Sequence, residues 1–178
     1  MKLYVGIDPS YSGTGVVVLD KEGQILACTS IKAPSEGSNL HRAVALRNDV
    51  LELILSHGLE RDAPFVAIEN YSLNSKFGLA MLVTMGTVLR MALLDRGWPY
   101  VEPAPQAVKA FALMPGKKTT KKQKPVAEAE KLWGFKHKSK DVVDAYVLAQ
   151  IARAAGGAQA LGHLDVKQID VVAKLRAC

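Results

Sequence analysis

The stretch Leu3-Tyr-Val-Gly-Ile-Asp8-Pro-Ser-Tyr-Ser-Gly13-Thr-Gly15-Val-Val-Val-Leu19 decides how the chain is read. Leu3, Val5 and Ile7 alternate with Tyr4 and Gly6, the period of a strand. Pro9, Ser10, Gly13 and Gly15 punctuate a turn, and Val16 to Leu19 run back as a second strand. Asp8 closes the first strand after an apolar run, beside a glycine-rich turn that allows close backbone approach. A carboxylate so placed is costly unless something compensates it, and a bound divalent cation is one such partner. The other reading is a turn aspartate capping its own loop. This stretch alone leaves the two open.

Working outward, Asp20-Lys-Glu-Gly23 is a short turn into a third strand from Gln24 to Ile31, which makes an antiparallel meander. A loop from Lys32 to Asn39 leads to a helix over Leu40 to His57, with Leu40, Val44, Leu51, Ile54 and Leu55 at helical spacing. Phe65 to Ile68 is a compact apolar strand ending in Glu69. It repeats the opening pattern, a buried strand delivering an acid at its C-terminal end, where open α/β sheets bind ligands. Two such strands favour the catalytic reading of Asp8 over the capping one. A long apolar helix over 79–94 follows, then a strand over 100–103 and a short helix over 105–113. Residues 114–120 read as a loop, and 124–133 as a helix with Pro125 in its first turn. Ser139 is placed to cap a helix from Lys140 to Ala152. Asp165 and Gln168 stand at capping-box spacing for a last helix.

The chain has 178 residues, 49% of them hydrophobic. That suits one well-buried domain, expected over 1–155, with 156–178 as a helical extension packed on it. No apolar run reaches the roughly 18 residues of a membrane span. The opening residues make a poor secretory signal, and Cys28 and Cys178 make neither a disulfide framework nor a zinc site, so a cytoplasmic location is expected. The net charge is +6, and its excess is local: nine lysines lie between Lys117 and Lys140 against only Glu128 and Glu130. Such a block points to a polyanion, most often nucleic acid, the alternative being a solvated lysine loop.

Four carboxylates then stand out: Asp8, Glu69, Asp141 and Asp144. The last two lie three apart on one helix face. Helix-dipole compensation, worth about 0.3–1 kcal/mol, accounts for Asp141. It does not account for Asp144, which sits between Val143 and Ala145 in an apolar helix. The four histidines are scattered, and neither a Ser-His-Asp arrangement nor a GxxxxGK(S/T) motif is present. Carboxylate-only sites suit hard cations such as Mg²⁺, with Mn²⁺ as a substitute. Two such ions about 3.5–4 Å apart promote phosphodiester hydrolysis. With a basic segment to hold the backbone, the acids read as a nuclease site.

Here the motifs Gly6-Ile7-Asp8-Pro9-Ser10 with Thr14-Gly15, Ala67-Ile68-Glu69, and Lys140-Asp141-Val-Val-Asp144-Ala145 resemble, in order and spacing, those of the RuvC-type Holliday-junction resolvases. Gln106-Ala-Val-Lys109 is similar to that family's Gln-Val-Lys segment, which precedes a basic loop. The resemblance covers residues 3 to 152. It implies a ribonuclease H-like α/β fold, a five-stranded mixed sheet flanked by helices. It also implies a homodimer that cuts four-way DNA junctions symmetrically, with one Mg²⁺-dependent site per subunit. Carried over by position, Asp8, Glu69, Asp141 and Asp144 are the catalytic, metal-binding acids, and Lys109 is a DNA-contacting lysine. The family's second lysine falls in the run containing Lys118, Lys121, Lys122 and Lys124, all expected to bind DNA, with Lys122 chosen for that role. Its DNA-stacking aromatic maps strictly to Ser72, with Tyr71 the adjacent aromatic. The lysine-rich loop and the tail beyond Gly157 depart from the better-known bacterial members. They point to a phage or prophage form, acting in the host cytoplasm.

Other functions compete. The opening hairpin also resembles the phosphate loop of sugar kinases and actin-like ATPases, but those need a second domain of similar size. A module that binds branched DNA without cutting gains nothing from clustered acids facing phosphates. Action on flaps, forks or RNA–DNA hybrids is not separated from junction cleavage by the acids alone.

Overall fold

The computed structural model describes residues 2–10, 13–58, 62–71, 79–113, 125–158 and 164–175. The first three strands, β1 (Tyr4–Asp8), β2 (Thr14–Leu19) and β3 (Ile25–Ile31), form the expected antiparallel meander. Helix α1 (Asn39–Leu55) crosses to β4 (Phe65–Ile68), which pairs parallel to β1. Helix α2 (Leu79–Asp95) returns the chain to β5 (Tyr100–Val101), parallel to β4. The sheet order is β3-β2-β1-β4-β5, so the two strands that end in acids are central neighbours. Helices α3 (Pro105–Phe111), α4 (Pro125–Trp133), α5 (Lys140–Ala155) and α6 (Val166–Lys174) complete the chain.

Strand alternation sorts the side chains into two cores. Leu3, Val5, Ile7, Val16 and Val18 pack under α1 and α2, together with Leu46, Val50, Ile54, Met85 and Leu89. Tyr4, Val17, Leu19, Phe65 and Ala67 face the other way, onto α5 and residues of α3 and α6. Helix α5 is buried over nearly its whole length from Val142, sandwiched between the sheet and these outer helices. Its closeness to the sheet depends on two glycines. A Cβ on Gly6 would lie 1.9 Å from the Ala145 carbonyl oxygen, and one on Gly15 would lie 2.1 Å from that of Asp141. The close approach read into the Gly13–Gly15 turn is thus made at Gly15 by a helix.

Some local expectations are refined. Ser139 takes the N-cap position of α5, but its side chain makes no capping bond. Ser38 caps α1 instead, accepting from the His41 amide, and Asp165 with Gln168 forms a full capping box on α6. Leu40 and Leu55, read as core positions of α1, are exposed, and the helix instead buries Ala43, Leu46, Val50, Leu51 and Ile54. Gln168 Nε2 donates to the Phe111 carbonyl, tying α6 to the end of α3. Among the described residues no helix is long and apolar enough to cross a membrane.

Candidate active site

Asp8 closes β1 on the face that also carries Tyr4 and Gly6, the face covered by α5. Alternation puts Glu69, two residues beyond Ala67, on that same face of the neighbouring strand. The register pairs Ile7 with Ile68, and the Glu69 amide still donates to the Ile7 carbonyl (3.0 Å). The ladder therefore sets the two acids side by side at the sheet's C-terminal edge. Helix α5 supplies Asp141 in its first turn and the buried Asp144 one turn on. Gly15, paired with Asp8 across β1 and β2, lets that helix end reach them.

The acids feel one another strongly. Burial pushes the Asp8 carboxyl well above the carboxylate range, and the charges of Glu69 and Asp144 push it further. Burial also raises Glu69, with help from Asp144, to about 7, although a hydrogen bond from Asp8 and the nearby charges of Lys140 and Lys109 work against the rise. Asp141 is raised more gently, by burial first. Lys109, on α3, is thus placed close enough to Glu69 for its charge to act on it. The described residues include no set of three or more His, Cys, Asp or Glu side chains arranged to hold a metal ion as they stand. The acids are grouped but not drawn onto one point.

Their chemistry nevertheless fits a hard divalent ion. The donors are all carboxylate oxygens, burial and then neighbouring charge raise Asp8 and Glu69, and Asp144 Oδ1 is buried with no hydrogen-bond partner. Asp8, Glu69, Asp141 and Asp144 are the residues that can hold such an ion.

Two further residues were not singled out from the sequence. The Lys140 ammonium bonds Asp144 Oδ2 and stands among the acids. Arg90, the lone charge within the apolar run of α2, donates through Nη2 to the Glu69 carbonyl (2.9 Å) and through Nε to Glu102. The ring of Tyr71 covers the Arg90 guanidinium at 4.3 Å, and its hydroxyl shares a hydrogen bond with Thr87. Tyr71 is thereby engaged within the protein, in a brace behind Glu69. A lone arginine in an apolar helix and a lysine at a helix start were the available signals for these two. Lys118, Lys121, Lys122 and Lys124, like Ser72, lie outside the described residues.

A mixed sheet of this order, flanked by helices and with acids on its two central strand ends, is the ribonuclease H-like fold. Within that class the chain resembles solved structures of RuvC from Thermus thermophilus. One, in complex with a Holliday junction substrate, superposes with a TM-score of 0.64 at 19% identity, covering 89% of this chain and 98% of that one. Another superposes with a TM-score of 0.65 at 21% identity, covering 88% and 97%. The protein therefore has the fold of a Holliday-junction resolvase. No family model matches the sequence, and no curated protein does either.

Proposed function

We propose that the protein is a divalent-metal-dependent endonuclease that cuts branched DNA, four-way junctions foremost. The observation that carries this reading is the meeting of Asp8, Glu69, Asp141 and Asp144 at one corner of a fold shared with a junction-bound resolvase. The four acids would hold Mg²⁺, or Mn²⁺ in its place, which when bound would supply charge neutralisation and activation of a water nucleophile. The chain's own part is placement. Adjacent strand ends fix Asp8 and Glu69, α5 presents Asp141 and Asp144, and Arg90 holds the backbone of Glu69. Lys109 offsets phosphate charge beside Glu69, and the lysines between 117 and 124 hold the DNA backbone. The nuclease domain spans 1–155, and the extension over 156–178 braces α3 through Gln168, keeping Lys109 in place. The enzyme works as a homodimer, so that two sites face opposed strands of one junction.

The deciding experiment is incubation with end-labelled four-way junction, flap, linear duplex and RNA–DNA hybrid, with and without Mg²⁺. Paired nicks on the junction that require Mg²⁺ are expected. Preferential cutting of flaps, forks or hybrids would redirect the substrate assignment. Junction binding without cleavage under any metal would overturn the enzyme reading.

A further inference from the structure

Lys140 is the first residue of α5, and helix formation does not explain it. The macrodipole disfavours a cation at a helix N-terminus. A lysine placed four residues before an acid is also the weaker order for such a pair. The acid cluster does explain it. The ammonium bonds Asp144 Oδ2, and its charge acts on Asp8, Glu69 and Asp141 as well. Asp144 Oδ1, on the other side of the same carboxylate, is buried and has no partner. The ammonium therefore compensates Asp144 from one side only. Its side chain is 67% exposed, against 8% for Asp144, so leaving the acid sacrifices little packing. Lys140 is an exposed cation over buried anions, and a divalent ion seeks those same oxygens.

We propose that Lys140 is a built-in counter-cation of the acid cluster, which holds the acids together before metal binds and gives way when it does. Lys140 thereby sets the metal concentration at which the site loads. The inference rests on reading the cluster as a metal site. A divalent ion has to displace the ammonium or share Asp144 with it, and either raises the concentration needed. After displacement the lysine remains tethered at the rim of the site, free to pair with a DNA phosphate.

The test uses the full chain without DNA, so that cleavage is not the readout. Mn²⁺ is titrated by calorimetry into the wild type, Lys140→Met, Lys140→Gln and Lys140→Arg, and each is melted in EDTA and in Mg²⁺. Removing the charge should tighten Mn²⁺ binding about five- to tenfold, a modest factor because the pair is partly screened by solvent. Both neutral variants should melt below the wild type in EDTA and gain more from Mg²⁺, while Lys140→Arg restores both properties. A purely structural ion pair would instead lower stability equally with and without metal and leave affinity unchanged. Wild-type binding with no tightening in the neutral variants would overturn the counter-cation role and leave the nuclease reading intact. Absence of Mn²⁺ binding in every protein would overturn both.

Discussion

At the scale of single residues, the proposed chemistry turns on carboxylates grouped at one corner of the sheet. Asp8→Asn, Glu69→Gln and Asp144→Asn should each abolish detectable cleavage of a labelled junction while leaving the fold intact. Junction binding should hold or tighten, because each change removes a negative charge facing phosphates. Activity within a few-fold of wild type in any of the three would remove that residue from the metal site. Asp141, half-buried and in the first helical turn, also serves the helix dipole, so Asp141→Asn should add a small stability loss of about 0.3–1 kcal/mol, read by urea melts. Glu69 and Asp8 should set the pH dependence of folding. Glu69 titrates near 7 in the folded chain against an ordinary 4.5, and Asp8 is raised as well. A raised acid takes up protons on folding. Its stabilising contribution is complete below pH 4.5 and is lost as pH rises through about 7. Thermal melts in EDTA should therefore show stability declining across that window, less steeply in Glu69→Gln. Saturating Mg²⁺ should reverse the slope, since the ion favours the ionised acids. A flat profile in EDTA would mean that the acids are not thus coupled.

At the scale of elements, the site depends on how closely α5 lies on the sheet. Gly15→Ala would drive a methyl group against the Asp141 carbonyl, a backbone atom that cannot rotate away. The N-terminus of α5 must then lift, carrying Asp141 and Asp144 off Asp8. A loss of about 1–3 kcal/mol is expected from such overpacking, measured by urea denaturation, and Mn²⁺ affinity should fall with it. Gly13→Ala is the control, because its methyl would press on the Ser30 hydroxyl, a side-chain atom that can turn aside, and otherwise meet Lys32 and Ser30 side-chain carbons at ordinary contact distance. Equal stability and metal affinity in the two variants would show that the close approach is dispensable. The strands were legible because apolar residues alternate in β1 and run unbroken in β2 and β4 between turn residues, and Asp8, Glu69 and Asp144 because each ends an apolar run or interrupts an apolar helix. The contact of Gly15 with α5 was not legible. It joins residues more than a hundred positions apart, and a glycine in a turn has a sufficient local explanation. Arg90 and Lys140 escaped for a related reason: their partners, Glu69 and Asp144, become neighbours or acquire meaning only once β4 and α5 are in place.

At the scale of the whole molecule, the question is what covers α2. Of its apolar residues, Met81, Met85, Val88 and Leu89 are buried in the chain's own core with residues of α1 and the sheet, so they offer no contact to a second subunit. Replacing Met81 and Met85 with Glu would therefore unfold the protein rather than separate subunits. A different face of the helix remains. Ala80, Thr87, Met91 and Leu94 are exposed, Met91 by 56% and Leu94 by 57%, and that face carries no charge before Asp95. Surface helices ordinarily place charged residues on the solvent side, so an uncharged outer face suits contact with another copy. A twofold axis beside α2 would pair Met91 and Leu94 with their own counterparts, in a closed interface that the flexible methionine can fill. Met91→Glu combined with Leu94→Glu should then give a monomer by light scattering with its melting temperature little changed, since neither side chain supports the core. Such a monomer should nick a junction on one strand at a time, whereas the dimer should produce paired nicks within one binding event. A wild type that is monomeric both free and on a junction would overturn the dimer. Cutting of single strands at flaps or forks, which needs only one site, would then be the better account of the same four acids.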